Sequence, residues 1–131
     1  MDWKKAFADI EGAAVHHGGT EALQAAAASA LLPIRIGGEE VRGKEPLMTA
    51  LAAKMNFPPY FGGNFDALRD CLTDLDEFLP AQGWLLIVTD AAEILKAKPA
   101  DRAFFLETLE SAAEFWRRAD PPRAFKTLLI T

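Results

Sequence analysis

Cysteine is almost absent from this chain: Cys71 stands alone, so no intramolecular disulfide can form and no cysteine cage can hold a metal. A lone thiol suits a reducing cytoplasm, and Cys71 reads as a small buried hydrophobe rather than a nucleophile. Histidine is nearly as scarce. His16 and His17 are neighbours whose side chains diverge, and the following Gly18-Gly19 makes them solvated residues of a turn rather than ligands. Long apolar runs are missing too: the nearest to one, Ala25 to Ile34, is broken by Ser29 and Pro33 and falls short of the ~20 residues that cross a bilayer. It lies far from the N-terminal lysines, unlike a signal peptide, and reads as an alanine-rich helix entering a strand. A soluble cytoplasmic protein with no membrane contact is expected. Bases are outnumbered, 14 Lys and Arg against 19 Asp and Glu, for a net charge of −5. That balance argues against direct nucleic-acid binding and for a basic protein partner. No nucleophile elbow, phosphate-binding glycine loop or metalloprotease motif occurs, and Gly37-Gly38 and Gly62-Gly63 lack the spacing and strand-to-helix context those need. Neither a catalytic residue nor a metal or cofactor is expected.

What the chain does have is enough apolar content for a core. Half of its 131 residues are hydrophobic and a quarter charged, which suits one compact domain. Trp3, Phe7 and Ile10 recur at helical spacing, so residues 2–14 read as a short amphipathic helix that His16 to Gly19 breaks. Thr20 and Glu21 then open an alanine-rich helix to about Ala30. Leu31 to Ile36 reads as a strand with Pro33 near its start, where a missing N–H is tolerated. Residues 45–55 form a helix with Pro46, Leu47, Ala50, Leu51 and Met55 on one face, ended by Asn56-Phe57-Pro58-Pro59. The apolar run Gly83 to Thr89 suits a strand buried on both faces, as in a parallel sheet. Ala91 to Lys96 is a short helix, and Pro99 leads a longer one to Arg118 with Phe104, Phe105, Leu109, Ala112, Phe115 and Trp116 facing inward. Asp120-Pro121-Pro122 stops it before a last strand, Phe125 to Ile130. The fold class is α/β: a small sheet of three parallel strands with right-handed crossovers, packed by helices. Residues 1–30 read as a helical N-terminal extension and 31–131 as the domain.

One segment looks built to touch something. An aromatic, glycine-rich turn, Tyr60-Phe61-Gly62-Gly63, feeds into a helix over about 64–75 in which Asp66, Asp70 and Asp74 recur every fourth residue. Stacked like charges repel by a few tenths of a kcal/mol per pair, so stability alone does not select them. Residues 64–77 hold five acids, Asp66, Asp70, Asp74, Asp76 and Glu77, against Arg69, a local net of −4. Asn64 is a good N-cap, and Asp66 in the first turn complements the helix dipole; Asp70 and Asp74 have no such explanation. A spacing of four on a rigid helix does not wrap Ca²⁺ or Mg²⁺, which leaves a recognition face as the functional reading.

The stretch from Ile34 to Leu75 resembles the barstar family, intracellular inhibitors of secreted barnase-type ribonucleases. The resemblance rests on Ile36-Gly37-Gly38-Glu39-Glu40-Val41, Leu47, Leu51 and Phe57-Pro58, then on the run from Tyr60 to Thr73, and Thr127 to Thr131 resembles the family's final strand. It implies a barstar-like domain over 31–131 acting as a non-catalytic inhibitor or immunity protein, which binds a basic ribonuclease or toxin 1:1 and occludes its active site with the acidic helix and the preceding loop. Asp70 matches the acid that enters the enzyme's phosphate pocket, Asp66 a second contacting acid, and Tyr60 the tyrosine that packs on a catalytic histidine. Phe61, Gly62, Asn64, Arg69 and Asp74 share that segment and complete its expected contact set. Glu110 and Glu114, one turn apart on the long helix, stand near where the family has contacting glutamates. Arg69, Asp74 and Leu75 depart from the family's best-known member, which has Trp, Gly and Trp there. The departures imply a ribonuclease other than barnase itself, or a divergent toxin. The alternative is a non-inhibitory binding or regulatory module that keeps the fold, with residues 1–30 as a docking arm.

Overall fold

The computed structural model describes residues 1–131. Four parallel strands, β1 (Val15–Gly18), β2 (Leu32–Gly37), β3 (Gly83–Thr89) and β4 (Ala124–Ile130), form one sheet in the order β1-β4-β3-β2. The central pair, β3 and β4, is buried on both faces, as its unbroken apolar runs require. At the β2 edge, exposed Pro33 sits where its missing N–H costs little. Four helices, α3 (Lys44–Met55), α4 (Phe65–Thr73), α5 (Leu75–Phe78) and α6 (Pro99–Arg117), contribute to the larger core with alternate strand residues: Ile34, Ile36, Trp84, Leu86, Val88, Phe125 and Leu129. Two more, α1 (Trp3–Ala8) and α2 (Thr20–Ala27), close a second cluster on Leu85, Ile87 and Leu128. Because strand side chains alternate, the two clusters lie on opposite faces of the sheet.

The expected α/β class with a parallel sheet is present; the helix expected over residues 91–96 is a single 3-10 turn, Ala91–Glu93, and two larger details are corrected. A fourth strand exists where a solvated turn was expected. Its composition, two histidines and a glycine, is poor strand material, and pairing with β4 from Val15↔Thr127 to Gly18↔Ile130 imposes the conformation. His16 is consequently buried between Trp3 and Phe7, both edge-on to its ring, whereas His17 is exposed. Gly18 is needed for close packing, since a Cβ there would lie 2.5 Å from that of Ala22. The second correction concerns α6. Phe105, Leu109, Ala112 and Trp116 face inward, but Phe104 and Phe115 are 55% and 47% exposed because they fall on the flank of the helix. Thr108 takes the intervening buried place and satisfies its hydroxyl on the Phe104 carbonyl at 2.7 Å.

Two cations, Lys126 of β4 and Arg117 of α6, hold residues 10–13. Lys126, only 1% exposed, donates from Nζ to the carbonyls of Ala13 at 2.8 Å and Gly12 at 3.1 Å. Arg117 donates from Nε to the Ile10 carbonyl at 3.1 Å and from Nη2 to that of Gly12 at 3.2 Å. The segment thus supplies acceptors that a buried ammonium requires.

Candidate functional site

Sequence punctuation shapes the acidic segment as expected. Asn56 ends α3 in the left-handed conformation (φ 59°), and its side-chain amide donates to the Phe78 carbonyl at 3.1 Å. The turn that follows is pinned from inside by Phe61, whose ring meets Phe57 edge-on at 5.0 Å, while neighbouring Tyr60 is left 80% exposed. Gly63 takes φ +71°, a conformation that favours glycine. Asn64 then caps α4, its Oδ1 accepting from the Ala67 N–H at 2.7 Å.

Along α4, Leu68, Cys71 and Leu72 are buried, and Asp66, Arg69 and Asp70 are exposed. Trp116 of α6 donates from its indole nitrogen to the Leu72 carbonyl at 2.8 Å, and Phe65 lies beside Phe104 at 6.1 Å between ring centres. These contacts fix α4 against α6, so its acids stand on a rigid element. Neither Asp66 nor Asp70 enters an ion pair. Both carboxylates are therefore open to an external cation. Burial raises the pKa of the Cys71 thiol, with the Asp70 and Asp74 charges adding to the effect, which disfavours the thiolate.

Asp74 does not extend the carboxylate stack. Helix α4 ends at Thr73, whose hydroxyl bonds back to the Arg69 and Asp70 carbonyls, and Asp74 is the non-helical joint (φ −112°, ψ 18°) leading into α5. The ridge on α4 is a pair, Asp66 and Asp70, with exposed Asp74 beyond its end. Asp76 is in part neutralised by Arg123, 3.6 Å away.

The groove between α4 and α6 is lined by Phe65, Asp66, Arg69, Phe104, Glu107 and Ser111, with Thr108 at its floor. Neither Glu110 nor Glu114 borders it. Glu114 is held by Arg117 and Arg118, and the charge of Glu110 acts on Lys126, toward the N-terminal segment. The α6 acid that lines this groove is Glu107, which sequence periodicity could not single out because it does not say which flank of α6 meets α4. Tyr60, Phe61, Gly62 and Asn64 lead into the ridge from the other end. Gly62 is exposed, and Phe61, Gly62 and Gly63 also line an open groove against α3.

No three or more His, Cys, Asp or Glu side chains are grouped to hold a metal ion, and no helix is long and apolar enough to cross a membrane. The chemistry on offer is that of two exposed anionic acceptors on a capped helix, with an exposed aromatic ring in the turn that precedes it. The family model described as Barstar (barnase inhibitor) matches residues 31–129 of the chain, which therefore belongs to the barstar family.

Proposed function

We propose that this protein inhibits a barnase-type ribonuclease, or a related toxin, by occluding its active site in a 1:1 complex, with the carboxylate of Asp70 in the pocket that receives substrate phosphate. Asp66 is the second anionic contact, and Tyr60 supplies an aromatic face for a ring at the rim. Members of the family are inhibitors rather than enzymes, and α4 carries no paired acid and base that would suggest catalysis. The single observation that supports the reading is the exposed, unpaired Asp66–Asp70 ridge on a capped and packed helix, inside the stretch that matches the family.

The physical basis is charge substitution. A carboxylate that enters a cluster of guanidinium and imidazolium groups replaces phosphate oxygens with short, charge-assisted hydrogen bonds. Rigidity limits the conformational cost of binding, because α4 is already ordered by Asn64 and by the Trp116 bond. Arg69, Asp74 and Leu75 bear on which ribonuclease is accepted: Arg69 and Asp74 are exposed beside the ridge, whereas Leu75 is wholly buried and acts through packing alone.

The test is inhibition of a barnase-type ribonuclease by the purified protein and by Asp70→Ala. The substitution is expected to weaken inhibition by roughly 30-fold or more, the scale seen when one member of a desolvated charge pair is removed. Full inhibition by Asp70→Ala would refute the assigned mechanism.

A further inference from the structure

The groove of about 540 Å³ between α3 and the glycine turn lies outside the acidic ridge. Its apolar lining is Met48 and Ala52 from α3 and Phe61 from the turn; Gly62 and Gly63 form the opposite wall, and Lys44 and Glu45 sit together at one end. We propose that this groove is a second anchoring site for the ribonuclease that Asp70 plugs, and that it receives an uncharged, largely hydrophobic side chain from a loop beside that enzyme's basic pocket. The proposal rests on the inhibitor reading and adds to it a contact that carboxylates cannot make.

Three observations select the occupant. Phe61, Gly62 and Gly63 belong both to the groove wall and to the turn that carries Tyr60 into the Asn64 cap. A body that seats on Tyr60 therefore reaches the turn that forms one wall of the groove. Second, Lys44 and Glu45 bring charges of opposite sign to one end, and neither enters an ion pair within the chain. Their fields offset each other, which leaves no net charge to draw an ionic group. Third, nothing in the fold itself calls for glycine at position 62. Its φ is not in the left-handed region, and an added Cβ would meet Ala67 only at 3.6 Å, an ordinary contact. A bare backbone there leaves the wall open to close approach from outside.

The experiment places bulk in the groove from exposed or half-exposed positions of α3. Thr49 and Ala52 line it, whereas exposed Ala53 does not. Inhibition of a barnase-type ribonuclease is measured for Thr49→Trp, Ala52→Arg and the control Ala53→Arg, with thermal unfolding of each and Asp70→Ala in parallel. The expected result is a loss of roughly tenfold or more for Thr49→Trp and Ala52→Arg, and less than about twofold for Ala53→Arg, at unchanged unfolding midpoints. Wild-type inhibition by both groove variants, with inhibition lost in Asp70→Ala, would overturn the groove proposal and leave the plug standing. Wild-type inhibition by Asp70→Ala would instead remove the plug, and the groove proposal with it.

Discussion

Gly62 and Gly63 are adjacent in sequence but do different work. Gly63 holds φ +71°, so an alanine there is strained even though a Cβ would meet nothing within 4 Å. Gly63→Ala is expected to cost about 1 kcal/mol or more in denaturant unfolding. Gly62→Ala meets neither strain nor crowding, and its unfolding free energy should stay within about 0.5 kcal/mol of wild type while inhibition of a barnase-type ribonuclease weakens. Equal inhibition by Gly62→Ala and wild type would show that the bare backbone at 62 has no role in binding. Asn64→Ala removes the acceptor of the Ala67 N–H and should lower stability by about 1 kcal/mol, read by the same unfolding measurement. Most of this segment was legible in the sequence because turn and cap chemistry is local: a glycine pair, an asparagine cap and a first-turn acid act through neighbours within four residues. The placing of Asp74 was not. Spacing of four extends a carboxylate stripe only while the helix lasts, and α4 stops one residue short of it.

At the scale of elements, the N-terminal segment is where periodicity misleads most. Residues 2–14 have helical spacing, yet α1 covers only Trp3–Ala8, and the chain then turns to lay β1 against β4. The long-range partners of this segment, Lys126 and Arg117, stand more than a hundred positions away, and no local signal announces them. Removal of residues 1–28 would strip the cover from Leu85, Ile87 and Leu128 and leave the Lys126 ammonium without its two carbonyl acceptors. The shortened chain is therefore expected to lose cooperative thermal unfolding, an outcome opposite to that of a detachable docking arm. His16 adds a pH dependence. Burial lowers its pKa below the ordinary 6.5, a shift the Ala13 carbonyl opposes and the nearby charge of Lys126 reinforces. The unfolded chain then binds the proton more readily, so the stability that His16 supplies is present above its ordinary pKa and is lost as pH falls through the lowered value. The denaturant midpoint should drop between about pH 7 and pH 5 more steeply in wild type than in His16→Gln, and matching slopes would exclude a contribution from His16.

Considered whole, the molecule keeps its strongest negative charge apart from the face that α1 and α2 cover. The parallel-sheet class, the longer helices and the acidic segment could be read from composition and local pattern, because buried parallel strands and amphipathic helices each leave a one-dimensional trace, whereas the single turn of α5 leaves none. The pairing of α4 with α6 leaves none either, and it alone decides that Glu107 lines their groove while Glu110 and Glu114 do not. This arrangement separates the effect of total charge from that of charge position. The chain carries −5 overall, and every acid contributes to that number wherever it lies. Only acids within about one Debye length of the docking surface, ~10 Å at 0.1 M salt, steer encounter strongly. Asp74→Asn and Glu21→Gln each remove one negative charge from an exposed residue, the first beside the ridge and the second in the first turn of α2. Stopped-flow association with a barnase-type ribonuclease should slow for Asp74→Asn and stay near wild type for Glu21→Gln at low salt, and the difference should vanish by about 0.5 M salt, where screening is nearly complete. Equal slowing by both substitutions would mean that net charge, not the placement of acids around Asp70, governs encounter.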